Sequence, residues 1–124
     1  MSEIASVVTV ARFEQGAKSF NEWLEMIDIR EDQFQRNYDE YIPEESHLHQ
    51  LQELVNTHGI KALVLGEAWC PDVWRGLPVI SKLSEATGMQ ARYFLKDENQ
   101  DIMSEFLNGE FESIPTIVFY NKNM

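Results

Sequence analysis

An α/β fold, with a mixed sheet flanked by helices, is predicted by three observations. The rhythm of the chain changes near Gly59, from helical spacing before it to short apolar runs after it. Beyond that point Ile60–Leu65, Met89–Leu95 and Thr116–Tyr120 are β-prone, and two helical stretches separate them. Strand, helix, strand, helix, strand over residues 60–124 implies a βαβ crossover whose connection covers the sheet.

The first half is read as helical scaffold. Ser6–Val10 is β-branched and fits either a short edge strand or a loose terminus. From Arg12 the spacing turns helical, and Phe20, Trp23, Leu24 and Ile27 share one face. Ser19 is the expected N-cap, with Glu22 three residues on completing a capping box. Arg30–Tyr41 reads as a second helix with a stripe of Phe34, Tyr38 and Tyr41. Pro43 ends it and suits the first turn of the next helix, near Glu44 and Glu45. That third helix places Leu48, Leu51, Leu54 and Val55 on one side and stops at Gly59.

Ile60–Leu65 is an almost unbroken apolar run, as expected for a strand covered on both faces. The helix from Pro71 to Glu85 turns Val73, Leu77, Ile80 and Leu83 or Ser84 inward and ends at Gly88. After the second strand, Asp97 or Asn99 caps a short helix carrying Ile102, Phe106 and Leu107, closed by Gly109. One domain spanning 1–124 is the expectation, with 1–59 mostly helical and 60–124 the strand-containing core.

Charge excludes some partners. The chain of 124 residues carries 21 acidic against 10 basic side chains, a formal −11, and no basic cluster. Nucleic acid and anionic membranes both reward clustered Lys and Arg, so neither is expected as a partner. No apolar run approaches the roughly 20 residues of a membrane span, and Met1–Val10 lacks a signal-peptide pattern. A single cysteine makes no internal disulfide, which fits a reducing cytoplasm. His47 and His49 are wrongly spaced for one helix face, and neither a metal nor another cofactor is expected.

The one cysteine stands in Trp69-Cys70-Pro71-Asp72-Val73, between the buried strand and the following helix. Unpaired amides at a helix start favour a thiolate there, and the Asp72 carboxylate opposes them. This motif, the spacing from Cys70 to Pro115, and Ser113-Ile114-Pro115-Thr116 before the last strand resemble the thioredoxin fold. More narrowly, the chain is similar to bacterial thioredoxin-like proteins with a helical N-terminal extension and a Trp-Cys-x-Asp-Cys motif. Ser19–Leu24, Asp97–Asn99 and Asp101–Met103 share in that likeness. The resemblance implies a cis bond between Ile114 and Pro115, a catalytic Cys70, and a substrate-facing surface at Trp69, Pro71, Ile114 and Pro115.

Three departures bear on function. Val73 replaces the second, resolving cysteine, so Cys70 can form a mixed disulfide but has no neighbouring thiol to release it. Val64 stands where the family carries a buried aspartate, and Glu67 is either its substitute or a loop carboxylate. The family continues past the strand matching Thr116–Tyr120 with one more strand and a helix, which are not expected in this stretch. Thr116–Tyr120 is therefore expected to be a sheet edge, of a fragment or of a chain whose edge a partner or the N-terminal segment covers. Three readings follow: monothiol exchange with protein or low-molecular-weight disulfides, with glutathione as exchange partner; a redox-inactive module that holds a peptide or protein; and a homodimer.

Overall fold

The computed structural model describes residues 6–124, and its organising element is the central strand β1, Lys61–Gly66. Ala62 to Leu65 are fully buried, as the apolar run requires. Strand β2 (Gln90–Leu95) pairs with β1 in parallel, and β3 (Thr116–Tyr120) pairs with its other side antiparallel, giving the order β2-β1-β3. The expected mixed sheet and βαβ unit are therefore present, with strand limits shifted by about one residue from the apolar runs. Among the described residues β3 pairs with β1 alone and forms the anticipated edge.

Alternation along the strands divides the core into two layers. Ala62, Val64, Ala91 and Tyr93 face one layer with Phe20, Trp23, Phe34, Val73, Leu77 and Ile80. Leu63, Leu65 and Phe94 face the other, with Val8, Phe13, Ile102 and Met103. The first layer belongs to the long helix α5 (Pro71–Thr87) and to the N-terminal helices. The second belongs to the short α1 (Val10–Glu14) and α6 (Gln100–Met103). Burial pushes the Tyr93 phenol up to about 12, and its hydroxyl bonds Ser81 at 2.7 Å.

Ser6–Val10 forms no strand. The Thr9 hydroxyl accepts from the Arg12 amide at 3.1 Å and starts α1 instead, while Val8 packs into the second layer. A β-branched run is a strand only where a partner edge is available, and here Ala17 takes that place, exchanging two bonds of 2.9 Å with Tyr93. Ser19 caps α2 (Phe20–Met26) as expected, accepting from the Glu22 amide at 3.1 Å. The Glu22 carboxylate reaches past Ser19 to the Lys18 amide at 3.2 Å.

Helix α3 (Glu31–Glu40) packs Phe34 edge-on to Trp23, with ring centroids 5.5 Å apart, and stacks Tyr38 on Phe20 at 4.4 Å. Helix α4 spans Glu45–His58, so Pro43 precedes its cap rather than opening its first turn. None of its residues is buried, and Leu54 is exposed, because α4 rests on the surface of α5 rather than in the core. Gly59 and Gly88 close α4 and α5 in the left-handed region, as their positions suggest.

Helix α5 (Pro71–Thr87) contains Pro78. Proline has no N–H, so the Trp74 carbonyl one turn earlier lacks its usual donor. The Asn37 side-chain amide of α3 donates to that carbonyl at 2.8 Å. Asn37→Ala is expected to cost about 1–3 kcal/mol by orphaning a part-buried acceptor. In a Pro78→Ala background, where the helix amide is restored, the same change should cost clearly less. Urea unfolding of the four chains measures that coupling.

Arg92 is buried in the second layer, lies over the Phe13 ring and bonds the Glu14 carboxylate at 2.9 Å. That hydrogen bond holds the Glu14 carboxyl below its ordinary 4.5. A depressed carboxyl stabilises the fold above its unfolded value and loses that contribution as pH falls through the folded one. Wild type and Glu14→Gln should therefore differ in urea midpoint at neutral pH and converge as the pH drops below 4.5.

Candidate functional site

The chain leaves β1 at Gly66, turns through Glu67–Trp69 and enters α5 with Cys70 as its N-cap. The Cys70 carbonyl accepts from the amides of Val73 and Trp74 at 3.0 and 3.2 Å. Its side chain makes no cap bond and instead points Sγ at the Ile114 carbonyl, 3.9 Å away. The Ile114–Pro115 bond is cis, as the resemblance implied. A Cβ added to Gly76 would lie 3.2 Å from the Pro115 ring, so α5 presses its second turn directly on that proline. Cys70, Ile114 and Pro115 are thus brought together from distant parts of the chain. Cys70 itself is 9% exposed.

Pro71 occupies the first turn of α5, where its missing N–H costs nothing, and it is exposed. Val73 has the opposite character. It is fully buried, and a Cβ on Gly66 would lie 2.8 Å from its Cγ1. The position of the absent second thiol has become core, sealed against β1. The Glu67 carboxylate accepts from the Asp97 amide at 3.0 Å and ties the β1 exit to the β2 exit, which makes it a loop carboxylate. Val64 is fully buried.

Trp69 turns outward and is 54% exposed. The Lys96 ammonium lies 5.8 Å from its ring centre and also bonds Glu112 at 3.2 Å and Asp97 at 3.5 Å. Burial works against the Lys96 charge, but the Glu112 hydrogen bond and the fields of Asp97 and Glu112 outweigh it and raise the ammonium above its usual value. Lys96 and Glu112 were not legible as site residues, since they belong to no motif and follow a strand and a turn. Trp74 packs inward, donating its indole N–H to the Ala68 carbonyl, with Arg30 over its ring at 5.1 Å. Arg75 and Asp72 are solvent-exposed and pair loosely at 4.0 Å.

The other sequence candidates stay apart from this cluster. His47, His49 and His58 are exposed on α4, and no metal-ligating group forms among the described residues. A cavity of about 330 Å³ between α1 and the end of β2, lined by Arg12, Gly16, Phe94 and Asn99, contains none of the motif residues. No helix is long and apolar enough to cross a membrane among the described residues.

The sequence profile of a family described as thioredoxin matches residues 17–124. The chain belongs to the thioredoxin family. Two solved structures share its fold. One is a protein of unknown function from Pseudomonas aeruginosa, 19% identical, with a TM-score of 0.71 over 97% of this chain and 72% of that one. The other is an HIV epitope-scaffold, 20% identical, with a TM-score of 0.72 over 96% of this chain and 72% of that one. No curated protein matches. The thioredoxin fold of this chain consequently comes with a single thiol and an apolar residue sealed beside it. Gly66→Ala should destabilise this thioredoxin-family domain by about 1–3 kcal/mol through overpacking. A smaller cost of Gly66→Ala in a Val73→Ala background than in wild type, read from thermal unfolding, would trace the loss to that one contact.

Proposed function

We propose that this chain is a monothiol member of the thioredoxin family that exchanges disulfides through Cys70, with an external thiol such as glutathione completing release. The observation that carries the reading is the placing of Sγ at the start of α5, against the Ile114 carbonyl, with the resolving position filled by buried Val73. The Cys70 thiolate attacks one sulfur of a partner disulfide. A Cys70–partner bond forms, the partner's S–S bond breaks, and the departing thiolate takes a proton from water. Glutathione thiolate then attacks the partner's sulfur, forming a glutathionyl partner and returning Cys70 as thiolate. No residue of the chain supplies that second thiol.

A second reading, a redox-inactive peptide-binding module, is favoured by the combination of a nearly covered Cys70 with exposed Trp69 and Phe111. Cys70→Ser separates the two, since binding survives that change only in the second reading. The acidic surface and the single cysteine support a protein or small thiol partner rather than nucleic acid, in a reducing cytoplasm.

Incubation with oxidised glutathione should add one glutathionyl group per chain, visible by intact mass and absent in Cys70→Ser. Insulin reduction should be negligible until glutathione is supplied. Val73→Cys should raise glutathione-independent insulin reduction at least about tenfold, because it restores intramolecular displacement. A wild-type chain that forms no adduct would overturn the exchange reading.

A further inference from the structure

Two walls flank Cys70. One is Trp69, on the turn into α5; the other is the 112–115 segment that leads into β3. On the inner side they meet through Sγ and the Ile114 carbonyl, at 3.9 Å. On the outer side Lys96 touches both, with its ammonium 5.8 Å from the Trp69 ring centre and 3.2 Å from Glu112. The Lys96 side chain is only 14% exposed although it ends in a charge. The covered stem carries the ammonium to Asp97, Glu112 and the face of the Trp69 ring, which hold it by three contacts. Gln100 adds a longer contact to Glu112 at 3.5 Å, so the carboxylate is held from two directions.

We propose that Lys96 is a positioning residue, which sets the spacing of the two walls and thereby selects extended, disulfide-bearing segments that must lie between Trp69 and Ile114–Pro115. The proposal rests on the exchange reading above. Lys96 does not touch Sγ and acts through Trp69 and Glu112. Its loss takes a cation from both Glu112 and Asp97 and frees the Trp69 ring. An extended partner then meets an unfixed surface, whereas a small reagent, which needs only Sγ, meets the same thiol.

The test uses the full chain and a linear peptide whose one cysteine carries a thionitrobenzoate group. Attack of the Cys70 thiolate on the peptide sulfur forms the mixed disulfide and expels coloured thionitrobenzoate. Alkylation of Cys70 by iodoacetamide serves as the measure of the thiol alone. Lys96→Gln is expected to slow the peptide reaction about threefold to tenfold, the scale of one cation–π contact and one ion pair. Alkylation should stay within about twofold of wild type, and Lys96→Arg should recover most of the peptide rate. Acrylamide quenching of Trp69, taken as the difference from Trp69→Phe, should rise in Lys96→Gln. Equal peptide rates, an equal fall in both reactions, or unchanged quenching would each overturn the role of Lys96 while leaving exchange at Cys70 intact. A wild-type chain that expels no thionitrobenzoate would overturn the exchange reading itself.

Discussion

The Trp74 carbonyl of α5 faces Pro78, which has no N–H to offer, and Asn37 of α3 fills the gap at 2.8 Å. An unpaired carbonyl at that depth would weaken the first turns of the helix, and those turns carry Cys70, Val73 and Trp74. The bond therefore makes the N-terminal helices part of the site's foundation. Arg30 over the Trp74 ring and the Trp23–Phe34–Tyr93 contacts add apolar and cation–π weight to the same junction. Without α2 and α3, the side of α5 turned away from the sheet and the Trp23 contact with Tyr93 would be uncovered.

The chemistry of the site follows from which neighbours of Cys70 are buried and which are not. Val73 is sealed by the close approach of Gly66, so the interior side of the motif is packing. Trp69 and Asp72 lie on the solvent side, and Cys70 beside them is nearly covered. The arrangement keeps one thiol at the helix start and puts an apolar, buried side chain where a resolving thiol would stand. Lys96 stands at the outer margin of the same region, where its ammonium meets two carboxylates and the Trp69 ring.

Much of the fold was legible. The apolar run before the motif marks a strand covered on both faces, and the Ser19 cap and the Gly59 and Gly88 stops are local backbone chemistry, so they are visible locally. Where the reading failed, a tertiary circumstance intervened. Ser6–Val10 has strand-forming side chains, but Ala17 holds the β2 edge and the Thr9 hydroxyl starts a helix. Leu54 obeys the helical period but is exposed, because α4 lies on the surface. Of the site, Cys70, Pro115 and the outward Trp69 were foreseeable from the motif; Asn37, Lys96 and Glu112 were not. Pro78 carried the one usable signal, since a proline four residues after Trp74 announces a carbonyl in need of a donor, though not its source.

By itself the sequence determined that there is one thiol, that it stands where a buried strand passes into a long helix, and that no second thiol lies three residues on. Those are facts of composition and local order. Tertiary structure decided that Sγ meets the Ile114 carbonyl 44 residues away and that Asn37 serves Trp74 across 37 residues. It also decided that Val73 is sealed and that Lys96 joins the two walls of the site. Such contacts depend on how helices and strands stack once apolar faces are buried, and no local pattern of residues encodes them.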